Sequence, residues 1–155
     1  MTPAIALAKK AGIGFKTHHY SHDPNHPSYG EEAAEKLGVD PARVFKTLVI
    51  SLDNRRLAVA VVPVASKLDL KAAAKALGGK RAAMAEAGEV ERSTGYVLGG
   101  VSPLGQKRRL ASLIDVSAQA LDTLFVSAGR RGLEIELAPA DLCRLLDGAF
   151  APLAK

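Results

Sequence analysis

A single lysine interrupts the most strand-like segment of this sequence. Residues 44–52 are rich in β-branched and apolar side chains, and Lys46 is the only charged residue among them. Side chains alternate along a strand, so Lys46 shares a face with Val44, Leu48 and Ile50. An ammonium group on an apolar face loses solvation unless it lines a cleft or reaches past the core to water. Lys46 is therefore either a pocket lysine or a lysine with its stem on the core and its head in solvent.

Two glycine-rich segments, GGVSPLG at 99–105 and SAGRRG at 127–132, are predicted to be loops. Glycine lets a backbone approach a ligand closely and aim its N–H groups at an anion or a developing oxyanion. Gly100 and Gly105 have the spacing of a phosphate-binding loop. Gln106 and Lys107 follow where lysine and then serine or threonine are required, which excludes nucleoside triphosphate binding. Each segment is then either a ligand-binding loop or a plain tight turn.

Two further side chains are candidates because of their places on predicted strands. Glu134 and Glu136 alternate within the strand predicted over 133–137, so they share a face that lines a site or meets solvent. Tyr20 ends the strand predicted over 15–20, where its hydroxyl either enters a cleft or lies at a rim. The pattern favours neither alternative by itself.

The histidines and the cysteine do not indicate a metal centre. His18 and His19 are adjacent on a predicted strand and point to opposite faces, so HHYSHDPNH gives no ligand set on one face. Cys143 lies among leucines of the last predicted helix and is interpreted as a small core residue. We expect neither a metal nor another cofactor.

A row of lysines predicts an outward, basic helix face. Lys67, Lys71 and Lys75 recur every four residues opposite an apolar stripe, and Lys80 and Arg81 extend the same region. Such a row either contacts a polyanion or is a solvated helix face. The net charge agrees with an anionic partner, since 21 Lys and Arg against 16 Asp and Glu leave +5.

The elements that must position these residues form an irregular series of helices and strands. Helices are predicted over 3–11, 31–37, 66–77, 85–92 and 139–146, and strands over 15–20, 44–52, 57–64, 109–116, 124–127 and 133–137. Strands and helices do not alternate regularly, which argues against a doubly wound sheet. We expect an α+β fold, with a curved mixed sheet or partial barrel and peripheral helices.

Length and composition indicate one domain over residues 1–155. The 48% hydrophobic and 24% charged fractions exclude disorder, and one cysteine excludes a disulfide framework. With 5% aromatic residues and no tryptophan, stacking of many bases on aromatic rings is disfavoured. No apolar run approaches the roughly 20 residues that a membrane helix needs, and no secretory signal is evident. We expect a cytoplasmic protein without a membrane partner.

Eight short motifs follow one another along the chain: MTPA, HDP, FKTLV, AVAVVPV, KLDLK, RSTGY, GGVSPLGQK and RGLEIEL. As an ordered set they resemble the YbaK family of aminoacyl-tRNA deacylases, in its Cys-tRNA(Pro) deacylase branch, which is related to the editing domain of prolyl-tRNA synthetase. The resemblance implies a catalytic group made of Lys46, Gly99, Gly100, Val101 and Ser102. It implies substrate-binding residues at Tyr20, Tyr29, Thr47, Ser127, Gly129 and Glu134. Close relatives carry phenylalanine in place of Tyr29 and aspartate in place of Glu134, and these two differences bear on substrate choice.

The resemblance implies trans-editing of mischarged Cys-tRNA(Pro), and also of Cys-tRNA(Cys), with the substrate's own thiol attacking its ester. Two features of the sequence are consistent with this mechanism. The backbone N–H groups of residues 99–102 suit an oxyanion, and no nucleophilic side chain is paired with a base. Two alternatives stay open. One is editing of Ala-, Ser- or Thr-charged tRNA with water as the attacker, and the other is a non-catalytic module that binds tRNA or a synthetase. The expected partners are the acceptor end of aminoacyl-tRNA, gripped by the lysine row, and prolyl-tRNA synthetase.

Overall fold

The computed structural model describes residues 1–155 and contains five α-helices and eight strands. The helices are α1 (Pro3–Ala11), α2 (Tyr29–Leu37), α3 (Leu70–Ala76), α4 (Ala87–Thr94) and α5 (Pro139–Leu146). The strands are β1 (Phe15–His19), β2 (Phe45–Leu52), β3 (Arg56–Pro63), β4 (Ala82–Met84), β5 (Ala111–Asp115), β6 (Leu124–Arg130), β7 (Leu133–Leu137) and β8 (Ala149–Ala151). Short 3-10 helices cover Pro41–Arg43 and Val116–Ala120.

The strands form two sheets that are joined at one point. The smaller sheet has the order β1-β7-β6 and is antiparallel, and the larger has the order β4-β2-β3-β5-β8. β3 pairs with β5, and β5 with β8, in parallel, whereas β2 is antiparallel to both its neighbours. One isolated parallel bridge, from Val44 to Phe125, links the two sheets. The expected α+β fold with a mixed sheet is confirmed, since the larger sheet contains both parallel and antiparallel pairs.

The main core lies between the two sheets. It contains 16 buried residues, among them Phe45 and Val61 from the larger sheet and Ile135 from the smaller one. Ala4 of α1 and Leu142 of α5 close this core. Because side chains alternate along β2, Lys46 and Leu48 lie on the opposite face from Phe45. Farther along that face, α3 and the C-terminal residues cover the sheet.

Local sequence signals fix the helix ends. The Thr2 side chain accepts a hydrogen bond from the Ile5 N–H, and Pro3 follows at the first helical position of α1. The Ser28 side chain caps α2, as the motif predicted, although this helix begins at Tyr29 rather than at residue 31. This earlier start brings the Tyr29 ring onto the first helical turn.

Three parts of the sequence-based prediction are wrong. The segment 127–132 is mostly strand, because β6 continues to Arg130 and pairs with β7 across a bulge after Ser127. Lys67 is not helical, since its backbone pairs with that of Lys155 and α3 begins only after the Asp69 cap. β4 and β8 were not predicted, because strands of three residues depend on the sheet edge that receives them.

None of the helices combines the length and the apolar character that crossing a membrane requires.

Candidate active site

A cavity of about 360 Å³ opens beside the bridge that joins the two sheets. Beyond Val44 and Phe125, β2 and β6 have no further bridge to each other, and residues from both strands line the cavity. The first turn of α2 and the loop after α4 complete its walls. The lining residues are Tyr20, Ser28, Tyr29, Gly30, Phe45, Lys46, Thr47, Leu48, Leu98, Gly99, Val101, Ser127 and Glu134. The structure therefore brings together most of the residues that the sequence singled out.

Lys46 contributes an ammonium group without a carboxylate partner. Its Nζ donates to the Val64 carbonyl oxygen at 3.4 Å, and none of the ion pairs in the chain includes it. Burial lowers the pKa of Lys46, and the charge of Glu31 partly opposes that shift. Of the two alternatives for this residue, the structure shows the pocket lysine.

Glu134 is buried in the cavity wall with only 6% of its surface exposed. Its carboxyl makes no hydrogen bond within the protein, and burial raises its pKa to about 8. The group is thus mostly neutral at pH 7 and can donate a hydrogen bond. The solvated-face alternative is wrong for Glu134.

Glu136 lies two residues further along the same face, in a different environment. Thr123 and Arg43 donate hydrogen bonds to one of its oxygens, and His18 Nε2 lies 2.9 Å from the other. Although burial acts to raise it, these partners hold the pKa of Glu136 below its usual value. Glu136 does not line the cavity, so the shared face carries one neutral and one ionised carboxyl group.

Tyr20 follows β1 directly, and its backbone N–H donates to the Gly132 carbonyl at 3.0 Å. Burial, followed by the nearby Glu134 carboxyl, raises the pKa of its hydroxyl. Tyr20 therefore stays a neutral phenol that can donate or accept a hydrogen bond at the cavity wall.

The glycine-rich loop contributes fewer backbone donors than its sequence indicated. The Gly100 N–H donates to the Val97 carbonyl at 3.0 Å, so it is not free for an oxyanion. Gly100 packs on the β6–β7 hairpin instead, where a Cβ would lie 2.6 Å from Arg130 Cα. The N–H groups of Gly99 and Val101 have no partner within the protein, and both residues line the cavity.

Ser102 and Gly129 lie behind the cavity rather than in it. Ser102 is fully buried, and its Oγ accepts a hydrogen bond from the Leu104 N–H at 3.2 Å. Gly129 has a φ of 115°, and a Cβ there would lie 2.8 Å from the Tyr96 ring. Its N–H donates to Ser127 Oγ at 3.2 Å, which fixes the Ser127 hydroxyl. Ser102 and Gly129 are thus the two predicted site residues of these loops, besides Gly100, that do not line the cavity, and their part in the site stays a prediction.

Thr47 carries an unsatisfied polar atom at the cavity. Its Oγ1 is buried and has no hydrogen-bond partner in the protein. Because buried hydroxyls are nearly always paired, this atom is a candidate contact for a polar group of a ligand.

Sequence reasoning missed the residues that hold the Tyr29 ring. The Arg131 guanidinium lies 4.1 Å from the centroid of this ring and pairs at 3.1 Å with Glu32, which is fully buried. Arg131 also donates to the Asp23 carbonyl at 2.6 Å. The acidic residue on the apolar side of α2 was the available sequence signal. Its partner 99 residues away could not be read from spacing.

The lysine row and the cysteine lie outside the cavity. All five cationic residues of the row are exposed on α3 and the segments that flank it: Lys67, Lys71, Lys75, Lys80 and Arg81. Cys143 is half-buried on α5, where burial raises the pKa of its thiol. No group of three or more His, Cys, Asp or Glu side chains is placed to hold a metal ion.

Comparison with known protein families gives one match over most of the chain. The model of the aminoacyl-tRNA editing domain matches residues 23–145. A protein of Enterococcus faecalis, EbsC, is 38% identical over 152 residues, which cover 98% of this chain and 92% of that protein. EbsC is named as a candidate Cys-tRNA(Pro)/Cys-tRNA(Cys) deacylase. The uncharacterised protein YwhH of Bacillus subtilis is 34% identical over 112 residues, 72% of this chain and 71% of its own.

Solved structures share the fold. A candidate trans-editing enzyme for prolyl-tRNA synthetase superimposes with a TM-score of 0.86 at 23% identity, over 99% of this chain and 95% of that one. The hypothetical protein APE2540 gives a TM-score of 0.86 at 22% identity, over 99% of both chains. At such identities the likeness establishes the architecture.

Proposed function

This chain belongs to the aminoacyl-tRNA editing domain family, and from that membership we propose that it is a trans-editing deacylase of Cys-tRNA(Pro) and Cys-tRNA(Cys). The observation that carries the proposal is a single cavity lined by Lys46, by the neutral Glu134 and by Gly99, whose N–H has no partner within the protein. A volume of about 360 Å³ fits a small aminoacyl group and part of a ribose.

The substrate's α-amino group is the proposed partner of Glu134. An α-amino group titrates near 7.7–8.0, close to the pKa of about 8 of the buried carboxyl. An ammonium group that enters the cavity favours the carboxylate, so binding draws the proton off Glu134 and forms an ion pair. Tyr20 and Thr47 line the same cavity, and their hydroxyl groups are the proposed further polar contacts of the substrate.

The attacking group is proposed to come from the substrate itself. Ser102 is buried and hydrogen-bonded, Cys143 lies outside the cavity, and no histidine lines it. In the proposed step the cysteine sulfur bonds to its own carbonyl carbon, and the bond from that carbon to the ribose oxygen breaks. The thiol proton ends on the ribose hydroxyl, and the aminoacyl group leaves as a four-membered thiolactone.

The enzyme's part in this step is to position the ester and stabilise charge. The partnerless N–H groups of Gly99 and Val101 are the proposed donors to the carbonyl oxygen as it gains charge. Lys46 supplies positive charge to the leaving ribose oxygen or to the phosphate of the terminal nucleotide. If Lys46 stabilises the leaving oxygen, removal of its ammonium group lowers kcat. If it binds the phosphate, the same removal raises KM.

A panel of purified tRNAs charged with Cys, Ser, Ala, Thr or Pro tests the proposal. Cys-tRNA(Pro) and Cys-tRNA(Cys) are expected to lose their amino acid fastest. Ser-tRNA is the matched control, since oxygen replaces only the sulfur, and it is expected to be stable. If the Cys and Ser esters are cleaved at equal rates, the attacking group is water rather than the substrate thiol. If no ester is cleaved faster than it hydrolyses spontaneously, the protein is a non-catalytic binding module.

A further inference from the structure

A second groove lies at the end of the β2–β3 hairpin and is rich in arginine. Its volume is about 420 Å³, and it shares no residue with the candidate active site. It is lined by Ser51, Asn54, Arg55, Arg56, Leu57, Glu89, Arg108, Arg109, Leu110 and Ala111. All four arginines are exposed, so the groove is open to a large ligand.

The backbone that carries these arginines is held in place. The Arg108 N–H donates to the Ser93 carbonyl and the Lys107 N–H to the Thr94 carbonyl, both at 2.9 Å, at the end of α4. At the hairpin tip, the Asp53 carboxylate accepts hydrogen bonds from the N–H groups of Lys80 and Arg81. Both pairs of arginines therefore lie on backbone that the rest of the protein holds in place, and both line the groove.

Most of the positive charge of the groove has no ion-pair partner within the protein. None of the ion pairs in the chain involves its arginines. Arg56 donates to the Leu77 carbonyl, whereas Arg55, Arg108 and Arg109 make no side-chain hydrogen bond. Glu89 is the only acidic residue of the lining. Planar guanidinium groups match the oxygens of a phosphate in pairs, which makes a phosphate chain the natural ligand.

The groove also lies at a suitable distance from the cavity. Along β2, the groove residue Ser51 lies three residues beyond Leu48 and five beyond Lys46, which both line the cavity. A strand rises about 3.4 Å per residue, so the two linings are separated by roughly 10–17 Å along β2. That span equals about three to five steps of a stacked nucleic-acid strand at ~3.4 Å each. One segment of the chain reaches both sites, since Glu89 of α4 lines the groove while Leu98 and Gly99 line the cavity.

We propose that this arginine groove binds the phosphate backbone of tRNA several nucleotides inside the aminoacylated end. The choice of tRNA as the ligand rests on the proposed function, but binding in the groove does not depend on the deacylation reaction. An open, exposed groove suits a strand that crosses it, and phosphate contacts position an RNA without reading its sequence.

The test compares two variants that lose the same charge. Arg108→Gln/Arg109→Gln removes two cations from the groove, and Lys16→Gln/Lys36→Gln removes two exposed cations that line neither site. Binding of uncharged tRNA is measured against salt concentration, so the result does not depend on deacylation. The arginine variant is expected to raise Kd about tenfold or more. It is also expected to lower the slope of log K against log salt by about 1.4–1.8. The lysine variant is expected to change both much less.

A second measurement uses a cysteine ester of a 3′-terminal dinucleotide, which is too short to reach the groove. The arginine variant is expected to cleave this ester at the parent rate, whichever rate that is. Unchanged tRNA affinity and salt slope in the arginine variant would overturn the proposal. The proposal would also be overturned if the arginine variant kept its tRNA affinity but lost binding to a synthetase, because the groove would then bind a protein partner. Failure of the parent to cleave any ester, with tRNA binding still dependent on Arg108 and Arg109, would refute the deacylase and keep the groove.

Discussion

The central carbon of the Arg131 guanidinium lies 4.1 Å from the centroid of the Tyr29 ring. Gly99 also lies against this ring, since a Cβ at Gly99 would lie 3.0 Å from it. The ring is therefore in contact with both the β6–β7 hairpin and the glycine-rich loop. Arg131 acts on the cavity wall through Tyr29, and through Glu32 it also anchors α2.

Arg131→Ala is expected to lower the free energy of unfolding by about 3 kcal/mol, because it leaves the fully buried Glu32 carboxylate without its cation. Arg131→Ala/Glu32→Gln is expected to recover most of that loss, since no buried charge remains. Chemical denaturation of both variants measures the difference. A single variant as stable as the parent would show that the Arg131–Glu32 pair contributes nothing to folding.

Replacing Glu134 by Gln is expected to change how stability depends on pH. The pKa is about 8 in the folded protein and near 4.5 in the unfolded chain, so between these values the folded state binds more protons. The contribution of Glu134 to stability therefore falls as pH rises from 4.5 to 8. Relative to its own value at pH 4.5, Glu134→Gln is expected to gain on the order of a few kcal/mol over the parent by pH 8.5.

Glu136→Gln is the matched control, because the pKa of Glu136 is lowered rather than raised. Its contribution to stability is present above the unfolded pKa and is lost as pH falls through the folded pKa. The variant is thus expected to be less stable than the parent at pH 7 and equal to it in strong acid. Identical pH profiles for the two variants would contradict the assignment of a neutral Glu134.

Lys46→Ala is expected to abolish most deacylation of Cys-tRNA while the fold is retained, because the side chain ends in a cavity rather than in the core. Single-turnover rates and thermal unfolding check the two parts. Lys46→Arg keeps the charge but moves it, and is expected to retain tRNA binding with a reduced rate. An unchanged rate in Lys46→Ala would remove this residue from the mechanism.

Cys143→Ser is expected to keep the deacylation rate within about twofold of the parent. The thiol lies on α5 outside the cavity, and the proposed attacking sulfur belongs to the substrate. Rates on Cys-tRNA(Pro), compared with circular dichroism of the variant, provide the check. A large loss of rate in a folded variant would point to an enzyme thiol instead.

The lysine row on and around α3 stays a prediction with its own test. If Lys71 contacts a phosphate, Lys71→Glu lowers the affinity for uncharged tRNA and reduces the log–log salt slope by at least ~0.7–0.9. Lys75→Glu, one turn along the same exposed face, is expected to behave alike. Wild-type affinity and slope in both variants would mean that these lysines are solvated.

Features that depend on neighbouring residues could be predicted from the sequence, whereas features that depend on contacts in the folded chain could not. The charge of Lys46 inside an apolar strand and the position of Glu134 on β7 follow from strand alternation, and both side chains line the cavity. The roles of Gly100 and Ser102 could not be read, because the Val97 carbonyl and the Leu104 N–H satisfy their polar groups only in the folded loop. The pairing of Arg131 with Glu32 joins positions 99 residues apart, and no local pattern signals it.

The pairing of β1 with β7 has a consequence for how the protein is made. Phe15 lies opposite Leu137, so the smaller sheet cannot close before most of the chain has been synthesised. Tyr20, Lys46 and Glu134 then reach one cavity only when these distant segments have met. Contacts between residues so far apart in sequence slow folding. During synthesis, β1 therefore remains unpaired until β7 has emerged from the ribosome. We expect a cavity able to bind substrate only after the last helix has also emerged.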